Sequence, residues 1–347
     1  MTIGLYVFSK DKLPLMYNKY IQILDRNSIK YYLINPNNKN FWNEVNKCDF
    51  IIIQYGQYRS QLEQAMTFLP IFEKCLAKKC FPSCSTGWHY DDKIKQYYLL
   101  SQFGYNYIPC HIFYNMDNAY EFAKIANYPL VFKLRSGAGS SNVRLIKSEK
   151  EAWKFIKIMF TKGVKNSNIK LDFLSNIKYK GFMNYAHKEL SYFYNFIKDG
   201  YIKTDFWGVE KDYVIFQDFC PDNSYDTRVT IIGNRAFAFR RFNRTNDFRA
   251  SGSGKIDWDW RFIDQRFIEI ALKISNFFDF QSMAYDFIYD KEGKPAICEI
   301  SYTFQDYAVF KCSGFWDDNM RWVEGNFWPE WCILSDLLGD PYLKSIT

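Results

Sequence analysis

Two carboxylates in the stretch Ser282–Ser301, SMAYDFIYDKEGKPAICEIS, are spaced to act together. Met283–Tyr289 and Pro295–Ile300 are runs of strand-forming residues, and the turn-rich DKEGK between them predicts a β-hairpin. With the turn centred between Glu292 and Gly293, Asp286 and Glu299 fall opposite each other on one face. Like charges placed opposite in a sheet repel. Among Ala284, Phe287, Ile288 and Ile297, such a pair calls for a cation between the two carboxylates. Mg²⁺ takes oxygen ligands of this kind and completes its shell with water and phosphate oxygens. The competing reading is an ordinary hairpin with one exposed and one salt-bridged carboxylate. If repulsion dominates, neutralising either carboxylate leaves the metal-free protein no less stable.

A second group of residues suits anions. Pro129–Lys147 reads as a hairpin whose arms, VFKLR and NVRLI, are joined by Ser136-Gly137-Ala138-Gly139-Ser140-Ser141. Small residues let backbone N–H groups approach a phosphate, and Lys133 on the entering strand supplies a point charge. No GxxxxGK[ST] is present and a strand follows the loop, so this is not a Walker loop. By itself the loop reads first as a flexible surface turn. Further on, Arg228, Arg240, Arg241, Arg244 and Arg249 precede the Gly/Ser loop Ser251–Gly254, a set suited to phosphate or carboxylate.

The elements that must position these groups alternate. Thr2–Phe8 and Asp49–Tyr55 are short apolar strands with a helix, Tyr17–Asp25, between them. Tyr31–Ile34 adds a strand, and Tyr58–Lys79 reads as a long helix or helix pair. This pattern predicts a small α/β unit with a parallel sheet, and the absence of GxGxxG after the first strand argues against a dinucleotide site. A helix at Lys93–Phe103, a strand at Cys110–Tyr114 and a helix at Asp117–Ala126 lead to the phosphate hairpin. Tyr213–Phe219 is a strand. Thr227–Ile232 and Arg235–Phe242 form a hairpin around Gly233-Asn234, and a helix over Gln265–Asp279 precedes the carboxylate hairpin. Between these blocks, Glu149–Lys211 holds twelve lysines against seven acidic residues, a balance that solvated helix faces or an anionic acceptor would both explain.

Composition bounds the function. At 347 residues, 48% hydrophobic and 20% aromatic, the chain builds a large core in two or three packed units. No apolar run reaches the length of a membrane span, and MTIGLYVFSK lacks the features of a signal peptide. Nine cysteines without a CxxC read as reduced thiols of a cytoplasmic protein. A net charge of +7 suits an anionic ligand without the clustered footprint of a nucleic-acid binder.

Taken in order, Lys93, Lys133 with its Gly/Ser loop, Gln217-Asp218-Phe219, Asp226, Arg249, Asp286 and Glu299 resemble the ATP-grasp superfamily, carboxylate–amine ligases such as D-alanine–D-alanine ligase and the ribosomal-protein glutamate ligases. The likeness covers Asp92 to Tyr302. It implies an α/β (α+β) fold with an N-terminal Rossmann-like unit, 1–87, a lid subdomain with a basic connector, 88–211, and a C-terminal subdomain, 212–347. It also implies ATP and Mg²⁺. Lys93 and Lys133 would hold the α- and β-phosphates, Gly137, Gly139, Ser140 and Ser141 would close over them, and Gln217, Asp218 and Phe219 would flank the adenine with Asp226 at the ribose. Arg249 and Ser251 would lie near the γ-phosphate, with Asp286 and Glu299 on the metal.

Two positions depart from the family. Ser301 stands where an Asn metal ligand is usual, so one metal would bind more weakly or through water. Ala284 replaces the arginine that steadies the tetrahedral intermediate in the D-alanine ligases, leaving Arg228, Arg240 and Arg241 as candidates. The aromatic tail after Ser301 resembles that of ATP-grasp proteins encoded among bacterial surface-polysaccharide genes. The resemblance therefore implies an amide ligase joining a uronic acid, or its nucleotide sugar, to a small amine through an acylphosphate, in capsule or surface-polysaccharide synthesis. A phosphotransferase of the same fold and a nucleotide-binding protein without catalysis are the rivals.

Overall fold

The computed structural model of the chain describes residues 1–8, 17–137, 142–165, 208–245, 247–340 and 343–346. The alternating pattern of the first part yields β1 (Thr2–Tyr6), α1 (Tyr17–Arg26), β2 (Lys30–Ile34), α2 (Phe41–Asn46) and β3 (Phe50–Ile52). Next come α3 (Arg59–Pro70), which runs into a π-helical turn at Ile71–Cys75, and β4 (Lys79–Phe81). The strands form one parallel sheet in the order β2-β1-β3-β4. The predicted helix over Tyr58–Lys79 therefore ends early, and its last residue opens a strand. Three residues carry no periodicity, and β4 exists only because it pairs with β3 from Phe50↔Lys79 to Ile52↔Phe81.

The short helix α4 (Cys84–Gly87) and α5 (Lys93–Ser101) lead to β5 (Cys110–Phe113), α6 (Met116–Ile125), β6 (Leu130–Lys133), β7 (Arg144–Ile146) and α7 (Glu149–Met159). β8 (Val164–Lys165) pairs with β9 (Val209–Glu210), and most of the basic connector between them lies outside the described residues. β10 (Val214–Asp218) then inserts between β5 and β6, giving the antiparallel order β5-β10-β6-β7. Leu130, Phe132, Ile146, Ala152, Ile156, Val214 and Phe216 make a separate core there, beneath α6 and α7. On β6, Leu130 and Phe132 face this core, so Val131 and Lys133 project to the other side.

The largest sheet is built from β11 (Tyr225–Ile232), β12 (Arg235–Phe242), β13 (Ile256–Asp257), β14 (Ser282–Tyr289), β15 (Pro295–Ser301), β16 (Gly314–Trp316) and β17 (Trp322–Glu324). Its order is β15-β14-β11-β12-β16-β17, with β13 beside β12. α8 (Gln265–Phe278) packs Phe267, Ile268 and Ala271 against Val229, Ile231, Tyr285 and Phe287. The opposite face carries Asp226, Arg228, Thr230, Arg241, Asp286 and Glu299. Polar residues in the middle of a sheet that is apolar on its other face mark that surface as a site rather than a packing layer.

After β15, α9 (Asp306–Phe310) and α10 (Pro329–Leu338) return to the first part of the chain. Ile3, Leu5, Tyr17 and Tyr20 share a core with Ile232, Phe237, Cys332 and Leu334. The first and third parts are thus packed together, while the middle part keeps its own core. Among the described residues no helix is long and apolar enough to cross a membrane.

Candidate active site

A cleft of about 1010 Å³ lies between the polar face of the large sheet and the inner face of β6 and β10. That is room for a nucleotide and a second substrate. Its lining includes Lys93, Lys133, Gly137, Gln217, Asp218, Phe219, Asp226, Arg228, Arg241, Arg249, Ser251, Asp286, Glu299 and Ser301. Fourteen sequence-predicted residues are therefore brought to one cleft from distant parts of the chain. Gly139, Ser140 and Ser141 lie outside the described residues. Arg240 does not line the cleft. It projects from the other face of β12, where its guanidinium pairs with Asp257 and stacks on Phe262, so it is corrected as a candidate for the intermediate.

Two lysines, Lys93 and Lys133, line the cleft. Asp92 caps α5 by accepting from the backbone N–H groups of Ile94 and Lys95, which fixes Lys93 at the first helical position. The Lys93 ammonium donates to the Gly137 carbonyl at 2.9 Å and lies 3.2 Å from Glu299 Oε1. Gly137 takes φ +107°, a conformation that costs a residue with a Cβ. Lys133 is buried, and its Nζ contacts Cys298 Sγ at 3.5 Å. No carboxylate lies within ion-pair distance of it among the described residues. Burial disfavours the Lys133 ammonium, but Cys298 and Glu299 outweigh that and hold its pKa above the ordinary lysine value.

Asp286 and Glu299 are directly opposite on β14 and β15, as the hairpin reading expects. The route differs. Tyr289 pairs with Pro295 and Phe287 with Ile297, so the turn is centred on Glu292, and a β-bulge at Cys298 restores the opposition. Nor is the pair bare. Arg228 Nε and Nη2 donate to the two oxygens of Asp286 at 2.7 and 2.8 Å, and Arg241 Nη2 adds a third contact at 2.8 Å. Burial would raise the Asp286 pKa; the two guanidiniums overcome it and hold the carboxyl well below the usual range. The expectation that neutralising Asp286 relieves repulsion is therefore corrected: it would strip counter-charge from Arg228 and Arg241.

Mg²⁺ fits the donor set when phosphate oxygens complete the shell. Glu299 Oε2 has no protein partner among the described residues, and Asp286 presents a second carboxylate across the ladder. No group of three or more His, Cys, Asp or Glu side chains arranged for a metal exists among the described residues, so protein alone does not make a cage. The Ser301 hydroxyl donates to the Thr303 carbonyl at 2.6 Å, leaving only its lone pairs for a ligand.

On β10, the buried Gln217 amide donates to the Ile108 carbonyl at 3.3 Å, and Asp218 pairs with His111 at 2.9 Å. Phe219 meets Phe248 edge-on, with ring centroids 5.6 Å apart. Asp226, at the expected ribose position, is held by a two-pronged contact from Arg241 at 2.6 and 2.7 Å. Arg249 is gripped by Asp247, with Nη2 to Oδ2 at 2.7 Å.

Several cleft residues escape the sequence reading. Gly56, Gln57 and Tyr58 come from the loop between β3 and α3, and Thr303, Phe304 and Gln305 from the chain after β15. Cys298 enters through the bulge. Asp91 is the fourth case. Of the two acidic residues before Lys93, one serves as helix cap, and the surplus acid was the available signal. Burial pushes the Asp91 pKa up to about 7, against the pull of Lys93 and the Gly137 N–H.

No protein-family model matches the chain, and no curated protein matches it in sequence. Solved structures do match its fold. The macrocyclase MdnC of Microcystis aeruginosa MRC, bound with precursor peptide MdnA, aligns with a TM-score of 0.57 at 12% identity, covering 98% of this chain and 100% of that one. The ATP-grasp ligase PsnB, complexed with a minimal precursor, gives 0.54 at 11% identity over 97% and 98%. Biotin carboxylase of Campylobacter jejuni in complex with β,γ-ATP gives 0.57 at 13% identity over 100% and 72%. At such identities the likeness is one of architecture, and with the cleft and its lysines in place, the chain has the ATP-grasp fold.

Proposed function

We propose that this chain is an ATP-dependent, ADP-forming ligase that joins a carboxylate to an amine through an acylphosphate. The observation that carries this reading is the buried Lys133 ammonium, which faces the cleft without an anionic partner among the described residues. Cys298 and Glu299 hold the ammonium charged, and with no carboxylate within ion-pair distance among the described residues a phosphate would supply its direct partner. Lys93 and Lys133 bind the α- and β-phosphates, Gln217 to Phe219 border the base, and Asp226 meets the ribose. Asp286 and Glu299 would hold Mg²⁺, which when bound supplies charge neutralisation at the phosphates. A substrate carboxylate oxygen attacks the γ-phosphorus and ADP leaves. The amine then attacks the acyl carbon and phosphate departs. Arg228, Arg241 and Arg249 border the space where charge develops in both steps.

The acid in this proposal is a uronic acid or its nucleotide sugar, used in bacterial surface-polysaccharide synthesis in the cytoplasm. Tyr58 and Phe304 line the cleft with aromatic rings and Gln305 with an amide, a combination suited to a hydroxylated ring. A peptide carboxylate is the second reading, favoured because two precursor-bound ligases align over almost the full length of both chains.

The test uses ¹⁸O-labelled carboxylate with ATP. With glucuronate or UDP-glucuronate and an amine panel, we expect ADP and free phosphate in equal amounts, one ¹⁸O in the phosphate, and little ADP from ATP alone. ADP with a phosphorylated product and no free phosphate would mean a phosphotransferase. Bound nucleotide without turnover on sugar or peptide acids would mean a binding protein.

A further inference from the structure

Around the cleft, the buried acids and bases are matched with one exception on each side among the described residues. Asp286 is held by Arg228 and Arg241, Asp226 by Arg241, Asp247 by Arg249, and Glu299 by Lys93. Lys133 is the buried cation without an anion. Asp91 is its counterpart, a buried carboxylate on the cleft wall with no cation within ion-pair distance among the described residues.

The details of Asp91 point to a ligand rather than a strut. Its Oδ1 does the structural work, accepting the Gly137 backbone N–H at 2.9 Å and the Gln57 side-chain amide at 3.0 Å. Its Oδ2 is buried and has no hydrogen-bond partner. The backbone there is left-handed, φ +53°, a conformation Asp tolerates better than most residues but one that still needs support. Three elements thus converge to hold one carboxylate oxygen unsatisfied: the loop after β3 through Gln57, the phosphate loop through Gly137, and the entry to α5. The charged groups facing it are Lys93 from α5 and Glu299 from β15. One carboxylate oxygen beside a lysine is a poor metal site and repels an acid. It suits a nitrogen that brings N–H donors and a positive charge.

We propose that Asp91 is the receptor for the amine substrate, its Oδ2 accepting an N–H from the substrate's primary ammonium or amino group. This rests on the ligase reading and deepens it by naming the nitrogen's docking point. The acid substrate then belongs on the arginine side, near Arg228 and Arg249, and the two reactants approach the phosphate end from opposite walls.

Asp91→Asn is the direct test, because the Asn Oδ1 still accepts from Gly137 and Gln57 while the second atom becomes a donor. In ADP-release assays with glycine, ethanolamine and ammonium chloride as probe amines, the variant is expected to raise KM for the amine at least tenfold. Calorimetric ATP affinity should stay within threefold. In parallel, ethanolamine but not ethylene glycol should raise the melting temperature of the ADP-bound wild type, and the difference should vanish in Asp91→Asn. Unchanged amine KM in the variant, or equal responses to ethanolamine and ethylene glycol in the wild type, would overturn the proposal. If ADP release never depends on an amine, the ligase reading falls, and the ethanolamine comparison alone then decides the role of Asp91.

Discussion

Arg228 holds both oxygens of Asp286, at 2.7 and 2.8 Å, from the neighbouring strand of the large sheet. With Arg241 this makes a buried charged lattice in which Asp226 is the fourth member. Breaking a buried pair by removing one partner leaves an uncompensated charge and costs about 3–5 kcal/mol. Asp286→Asn should therefore destabilise the protein by about 3 kcal/mol in urea denaturation without nucleotide or divalent ions. Glu299→Gln should cost under about 1 kcal/mol, since Glu299 is a third exposed and Lys93 keeps the Gly137 carbonyl. No loss of stability in Asp286→Asn would return the pair to the mutual-repulsion picture.

Lys133 behaves oppositely. Its only hydrogen bond among the described residues is to a thiol, so removing the ammonium costs the empty protein little. Lys133→Met should lower ligand-free stability by no more than about 1 kcal/mol and weaken ATP binding at least tenfold, about 1.4 kcal/mol. Calorimetry on the folded variant decides it, and undiminished affinity would take Lys133 out of the phosphate site.

These two cases also show what the chain discloses in one dimension. Lys133 is visible as a lone charge in the apolar run from Leu130 to Leu134, ahead of a Gly/Ser loop. The Asp286–Glu299 opposition was found for a partly mistaken reason: the turn sits half a residue earlier than read, and the bulge at Cys298 makes up the difference. Bulges leave no periodic trace. The Arg228–Asp286 fork depends on which hairpins become neighbours, and the Gln57–Asp91 contact on how the first unit meets the start of the second. Neither is encoded in local spacing. Arg240 and Arg241 look alike in sequence, and only the register against β11 separates their faces.

Two buried groups give the stability a pH signature. His89 is fully buried with neither ring nitrogen partnered, packed by Trp88 and Phe280, and burial together with Lys95 lowers its pKa to about 3. The folded state resists protonation there, so this stability is present above pH 6.5 and is lost as pH falls toward 3. Asp91 has the reverse sign. Its folded pKa, about 7, exceeds its unfolded value of 3.8, so its contribution is full below pH 3.8 and declines as pH rises to 7. His89→Phe should flatten the acid limb of a melting-temperature profile, and Asp91→Asn the limb between pH 4 and 7. A parallel, unchanged profile in either variant would show that the group does not titrate on folding.

The last prediction concerns adjacent residues on opposite faces of β12. Arg241 donates to Asp226 and Asp286 at once inside the cleft, whereas Arg240 pairs with Asp257 behind the sheet. Lysine keeps the charge but offers one compact ammonium in place of a planar fork. Arg241→Lys cannot keep both contacts in the same geometry, so it should reduce ligase turnover at least tenfold and weaken ATP binding through Asp226. Arg240→Lys keeps a serviceable pair with Asp257, and Arg240 does not itself line the cleft, so turnover and ATP affinity should stay within twofold. The variants are compared by calorimetry and steady-state ADP release after confirming equal melting behaviour. If Arg240→Lys loses activity as severely as Arg241→Lys in a folded protein, the face assignment of the site is wrong.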